Sequence, residues 1–344
     1  MEAKRDITID IMKGIGIIAV LFGHVSQNKL LNVWIYSFHM PLFFFLSGIT
    51  GYISKKENFF EKKVKSLLIP YFIFSLLTFI YWSLIERKIR SDSFSISSQF
   101  WGILISQGGS ENHVYNIVMW FLPCLFVTEI IFYLIRKEIT QSKLIYVILF
   151  IFSILGFILS KYLPIRLPWS IDTMFVGIVF YGIGYLLYNK LINYEKNSEK
   201  KILKYLLMFI FLIINFYLAL INGRVDMNNG VYSNYLLYFI SSFSGIACIY
   251  LFSTLINCKI LSFLGVNSLI IMCVHEPLKR IIIKILSVIT KTDLGLIRNG
   301  IISIFICTSI ILLCILPLIY MFNKFLPVVV GKNNNLKRKK VHAV

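Results

Sequence analysis

Charge is scarce in this 344-residue chain. Only 15% of residues are Asp, Glu, Lys or Arg, and just 16 are acidic. Ordinary globular domains carry about 25% charged residues, and disordered chains carry more charge and fewer apolar groups. Both classes are excluded. Cysteine is equally uninformative as a framework. The six residues (Cys124, Cys248, Cys258, Cys273, Cys307, Cys314) form no close pair and lie in or beside apolar stretches, which removes a disulfide scaffold or a zinc cluster. Internal repeats, long linkers and a detachable soluble segment are also missing. What fills the chain is apolar: 58% hydrophobic residues, 30 of them Phe, at a mean hydropathy of +0.78. The composition is that of a polytopic membrane protein.

About 20 apolar residues carry a helix across a bilayer. Ten stretches meet or approach that length: Ile7–Val25, Phe38–Ser54, Ser66–Ile85, Val114–Ile135, Leu144–Ser160, Ile171–Tyr188, Tyr205–Asn222, Tyr235–Ile256, Ile260–Leu278 and Leu296–Phe325. The expected fold is an all-α bundle of about ten transmembrane helices. A membrane domain would cover 1–330 and a basic tail 331–344. The 35 Lys and Arg give a net charge of +19. They concentrate in alternate short loops, so the positive-inside rule places both termini in the cytoplasm of a plasma or inner membrane. The excess suits anionic headgroups or an anionic cofactor. Nucleic acid is not expected, because no basic amphipathic helix or interleaved aromatic–basic strand is present.

Ionisable residues within spans are costly and therefore informative. The first span holds Asp10, Lys13 and His24. On an α-helix Lys13 and His24 fall about 20° apart in azimuth and about 16 Å apart in rise. One stripe thus runs from a charged mouth to an imidazole deep in the membrane. A local Asp10–Lys13 pair with a hydrogen-bonded His24 would explain the same residues structurally. The second span opens with His39 ahead of Pro41 and ends its Phe run at Ser47-Gly48, a small-residue packing site more readily than a nucleophile. Lys62 and Lys65 stand three apart at the mouth of the third span, where they can grip phosphates or simply set topology. Trp120 opens the fourth span, with Glu129 inside it, and Asp172 lies near the end of the sixth. Both carboxylates can pair with a base. The ninth span carries Gly265, Asn267 and Ser268, then His275 beside Glu276. His275 can act as an acid or position a hydroxyl, or pair with Glu276 at the interface. Asn222–Gly230 reads as an outer polar loop.

Taken in order, these blocks resemble the acyltransferase type 3 family of integral-membrane acyltransferases, in its fucose 4-O-acetylase-like or polysaccharide O-acetyltransferase branch. Asp10, Lys13 and His24 match the opening pattern. Pro41 to Gly48 follow, then Lys62 and Lys65 before Leu68–Tyr71, then Trp120–Leu122, then Gly265, Asn267, Ser268 and His275. Lysines stand where many members carry arginine. The resemblance implies transfer of an acetyl or larger acyl group from cytoplasmic acyl-CoA to a hydroxyl on a glycan or a lipid-linked glycan. No metal is implied, and the oligomeric state is left open. It further implies that Asp10, Lys13, Lys62 and Lys65 hold acetyl-CoA, that His24 and His275 are catalytic, and that His39, Trp120, Asn267 and Ser268 contact the acceptor. A passage should then lead from the basic rim to His24. A transporter of an anionic or lipid-linked glycan, or a scaffold, would carry similar intramembrane charges. The uninterrupted Ser66–Ile85 and Asn299–Asn323 runs argue against the transporter.

Overall fold

A computed structural model describes residues 6–53, 58–109, 111, 113–197 and 201–332. Lys4, Arg5, Lys55, Lys56 and the tail beyond Lys332 lie outside the described residues. Where described, the chain is helical, with a lone bridge between Asp226 and Val231 as its extended pairing. Lipid offers backbone groups no partners, and helices satisfy them within one segment.

The principal helices are α1 (Ile7–Val25), α2 (Lys29–Tyr36), α3 (His39–Ile53), α4 (the continuous stretch Phe59–Arg90), α5 (Ile96–Ile105), α6 (Phe121–Glu138), α7 (Ser142–Tyr162), α8 (Ile171–Asn197), α9 (Lys201–Asn222), α10 (Tyr235–Leu255), α11 (Lys259–Val266), α12 (Ser268–Thr290), α13 (Leu294–Asn299) and α14 (Ile301–Phe325). Among the described residues nine helices are long and apolar enough to cross a membrane, and ten if the bent pair α11–α12 counts as one span. The expected all-helical, roughly ten-span architecture is therefore present. Helices α1, α6 and α8 are mostly buried, whereas α7, α9 and α14 turn apolar faces outward, as lipid-facing helices do.

Three expectations change. The third span is not uniform: α4 widens into π-helix at Val64–Leu68 and again at Trp82–Glu86. Pro70 explains the first, since it lacks an N–H for the carbonyl four residues back and its ring crowds that turn. The ninth span is not straight. Its two parts meet at 79° at Asn267, whose side chain accepts from Asn323 at 2.8 Å and donates to the Phe263 carbonyl at 2.8 Å. The second span starts earlier, at Lys29. Asn28 caps α2 by accepting from the Leu31 amide, and α2 leads directly into α3.

Small residues set the tightest crossings. A Cβ at Gly14 would collide with the Leu261 carbonyl, and one at Gly265 with the Asp10 carbonyl, so α1 and α11 meet backbone to backbone. Gly48 and Gly184 do the same for α3 and α8. Without a hydrophobic driving force between helices in lipid, such close approach supplies the packing energy.

Candidate active site

His24 occupies the last turn of α1. The carbonyls of that turn have no helical partner, and Arg298 supplies one. Its Nε donates to the Val25 carbonyl at 3.0 Å and its Nη2 to the His24 carbonyl at 3.3 Å. In return the Gln27 amide donates to the Arg298 carbonyl at 2.7 Å. The end of α1 is thereby clamped to α13.

The partner of the His24 ring comes from α12. His24 Nδ1 lies 3.4 Å from Glu276 Oε2. The other carboxylate oxygen accepts from Lys279 Nζ at 2.6 Å and faces Arg280 at 3.5 Å. His275 packs edge-on against His24, ring centroids 5.2 Å apart, and is fully buried. Its Nδ1 donates to the Ile271 carbonyl at 3.0 Å. That bond fixes the neutral tautomer, leaving Nε2 a buried acceptor without a partner. Pro277 helps to place this segment. It cannot donate to the Cys273 carbonyl, and Asn116 Nδ2 takes that carbonyl instead at 2.8 Å. Arg280 reinforces the join by donating to the Tyr115 carbonyl and pairing with Glu86.

His24 and Glu276 face a cavity of about 400 Å³. Tyr36, His39, Met40, Ile117 and Trp120 contribute to its walls, with Lys279 and Arg298 adding positive charge. His39 Nδ1 donates to the Ile35 carbonyl at 2.8 Å, so its Nε2 is also an acceptor. The loop after α9 supplies the remaining wall through Arg224, Asp226, Met227 and Asn228. Arg224 stacks 4.5 Å from the Tyr36 ring centroid and lies 3.7 Å from Asp226. The loop is anchored from α8: Thr173 donates to the Met227 carbonyl at 3.0 Å, and Arg166, paired with Asp172, reaches the same carbonyl. Beyond the loop, Gly109 donates its amide to Asn228 at 3.1 Å.

Towards the other end of α1 a second cluster forms. Lys63 Nζ bonds Glu129 Oε2 at 2.6 Å, and Lys13 is close enough to act on Glu129 electrostatically. Beside it, Phe59 stacks on Tyr133 at 4.5 Å. These rings border a cavity of about 190 Å³ that Arg136 and Lys137 also line. Lys62 is exposed, and Lys65 pairs with Glu61 on the exposed face. Asp10 is buried with its carbonyl against Gly265. Between the two clusters the packing is aromatic. Phe43 reaches Gly16, midway along α1, and meets Phe121 at 6.2 Å, while Phe44 meets Phe121 at 5.2 Å. The expected passage from Lys13 to His24 is filled at this level by these rings.

The sequence model of the family described as "Acyltransferase domain", Acyl_transf_3, matches residues 6–321. The chain belongs to the acyltransferase 3 family. No curated protein and no solved structure matches it. Family membership makes it a membrane-bound acyltransferase, with an acyl donor and an acceptor as its substrates.

Within this acyltransferase the expected site residues divide by place. His24, His39 and Trp120 share the larger cavity, and His275 backs His24 from behind it. Asn267 and Ser268 form the α11–α12 hinge, with Asn267 bound to Asn323 and facing Lys332 at 3.5 Å; neither lines the cavity. Glu276 and the Arg224–Asn228 loop were not expected at the His24 ring, and Lys63 was not expected at the Lys13 cluster. His24, His275 and Glu276 can also be read as metal donors, since one ligand atom from each falls within 4.8 Å of the others. Lys279 and Arg280 on the same carboxylate put two cations beside any such ion, and a proton-handling role suits that charge balance better.

Proposed function

We propose that this acyltransferase is a plasma- or inner-membrane O-acetyltransferase that moves acetyl from cytoplasmic acetyl-CoA to a hydroxyl of a surface polysaccharide or its lipid-linked precursor. The observation that carries the reading is the His24–Glu276 pair facing a polar cavity at one end of a stripe that begins at Lys13. In this reading the N-terminus is cytoplasmic and the His24 cavity opens to the far side. Lys13, with Asp10, Lys62 and Lys65 around the rim, receives the polyanionic end of the donor, where lysines act as point charges. Arg136 and Lys137 border the neighbouring aromatic cavity and add to that charge.

The acceptor hydroxyl binds near His39, Trp120 and the Arg224–Asn228 loop. Glu276 holds the His24 Nδ1–H, so that Nε2 is the free base. As the hydroxyl oxygen bonds to the thioester carbonyl carbon, His24 takes the hydroxyl proton. The tetrahedral oxyanion forms beside Lys279 and Arg298, two of the cations that line the cavity. Its collapse breaks the carbon–sulphur bond, and the proton held by His24 passes to the departing sulphur. The products are an acetyl ester and the free thiol. His275, packed edge-on against His24, keeps the ring in place.

The test is His24→Ala with labelled acetyl-CoA and glycan acceptor in membranes. Acetyl incorporation should fall by about 10²–10⁴-fold, the range a general base contributes. Undiminished incorporation rejects the proposal.

A further inference from the structure

The wall of the His24 cavity holds a polar group that the chemistry above leaves without a task. Asn32, on α2, lines the cavity and is only 8% exposed. Its Nδ2 donates to the Ser26 carbonyl at 3.0 Å. A carbonyl oxygen can only accept, so this bond fixes which end of the amide faces Ser26. The other end, Oδ1, is buried and finds no hydrogen-bond partner among the described residues. Ser26 is itself held to the end of α1. Its amide donates to the Phe22 carbonyl at 2.9 Å, and its hydroxyl accepts from the Asn28 amide at 2.9 Å. The Asn32 amide is therefore tied to a residue two chain steps from His24, a Cα separation of at most about 7.6 Å.

A buried carbonyl oxygen that has lost water and gained no partner destabilises the fold, and native structures keep few of them. One that lines a substrate cavity is matched when the substrate brings a donor. As an acceptor, Oδ1 cannot steady an oxyanion, and it disfavours a carboxylate or phosphate beside it. It suits a hydroxyl or an N–H. His39, whose Nδ1 is committed to the Ile35 carbonyl, presents a second acceptor to the same cavity.

We propose that Asn32 is a specificity residue: its Oδ1 accepts from a second hydroxyl, or an N–H, on the ring that carries the reacting hydroxyl, one or two ring atoms away from it. Asn32 then decides which ring position meets His24. A single-hydroxyl acceptor leaves Oδ1 unmatched and is refused, because a site built to hydrogen-bond a substrate group discriminates against the analogue without it. A ring whose neighbouring hydroxyl is already esterified is refused for the same reason. The inference rests on the acetyl-transfer reading for the identity of the reaction, and on the cavity alone for the recognition.

The experiment offers labelled acetyl-CoA and small ring alcohols to the full-length protein in membranes. The acceptors are cis-1,2- and cis-1,3-cyclohexanediol, each set against its monomethyl ether, which keeps one hydroxyl and removes the second donor. For the better diol, wild-type kcat/KM should exceed that of its ether by about tenfold or more. In Asn32→Leu the preference should shrink to about twofold, the statistical advantage of two reacting hydroxyls. Asn32→Asp, which keeps an oxygen at that point, should retain a larger preference than the leucine variant. Damaged packing lowers both rates together and leaves their ratio unchanged, so the ratio reads recognition. Saturation-transfer NMR of the same diol and ether on the detergent-solubilised protein, without acetyl-CoA, reads binding apart from transfer. An equal diol-to-ether ratio in wild type and Asn32→Leu, in transfer and binding alike, overturns the proposal and leaves Oδ1 to a bound water. An Asn32-dependent ranking in binding beside a failed His24→Ala test would keep the recognition role and remove only the acetyl reading.

Discussion

Glu276 follows His275 directly in sequence, but successive helical residues point about 100° apart, so its carboxylate reaches across to α1 while His275 turns inward. This is why the sequence pairs the two neighbours and the structure pairs Glu276 with His24. Periodicity places residues on one helix accurately; it says nothing of which helix stands opposite. His24 itself was legible because an ionisable residue inside a candidate span needs a reason. Glu276→Asp keeps a charge for Lys279 and Arg280 while withdrawing the carboxylate from the ring. It should lower kcat for acetyl transfer about tenfold or more and leave the KM for acetyl-CoA nearly unchanged; a change confined to KM would assign Glu276 to binding. Outside the spans, His113 gives a stability prediction. It is buried, its Nδ1 2.7 Å from the Tyr115 hydroxyl, and burial pushes its imidazole down to about 4 from the usual 6.5. Above about pH 6.5 the ring is neutral in both folded and unfolded chains and costs nothing. As pH falls from 6.5 towards 4, only the unfolded chain takes the proton, and stability declines by on the order of 3 kcal/mol. Thermal melts in detergent should show that decline, and His113→Gln should flatten it.

At the scale of elements, the span count was readable from apolar length and the interruptions were not. A proline in an apolar run reads as a helix start or a mild kink, yet Pro70 accompanies a π-turn and Pro277 hands the Cys273 carbonyl to Asn116. The 79° bend at Asn267 has no proline or glycine at the break itself, and the Gly-x-Asn-Ser block reads as a substrate motif when taken alone. In the fold, its glycine lets α11 cross α1 and its asparagine ties the bend to α14. Gly265→Val should therefore act through packing. Its side chain would meet the Asp10 carbonyl, a backbone atom that cannot rotate away, and overpacking of this kind costs about 1–3 kcal/mol. A lowered melting temperature with the acceptor KM intact in the surviving folded fraction is the expected result; a raised acceptor KM at unchanged stability would restore a substrate role. The Phe43–Phe121 contact makes a second prediction at this scale. If the donor's thioester arm must pass between the two clusters, Phe43→Trp should slow transfer about tenfold, and Phe43→Ala should increase His24-dependent hydrolysis of acetyl-CoA. Equal rates in both variants would mean the arm takes another route.

Across the whole molecule, the site is assembled from segments nearly the full chain length apart: α1, the start of α3, the residues before α6, the loop after α9, α12 and α13. Ordered sequence blocks marked several of these segments, since each places polar, aromatic or small residues at or near the end of an apolar run. The Arg224–Asn228 loop carried no such mark, because a polar turn between spans is what any outer loop looks like. Its place in the cavity wall comes from Thr173 at the start of α8 and Arg166 just ahead of that helix, which grip the Met227 carbonyl. This makes orientation testable through the site itself. In the proposed orientation, which rests on the asymmetry of Lys and Arg, both termini lie inside, and the helix order then sets this loop outside with His24 beneath it. Asn229 sits beside the wall-forming residues without lining the cavity. In intact cells, Asn229→Cys in a variant whose six native cysteines are replaced by serine or alanine should react with a membrane-impermeant maleimide, while a cysteine at Lys137 should react only after lysis. The reverse pattern would invert the topology, place the Lys13 cluster outside, and leave a cytoplasmic thioester donor facing the histidine end directly. Labelling should also slow when a glycan acceptor is present, because the loop is held from α8 and can shield Asn229 only if the acceptor occupies the cavity beside it.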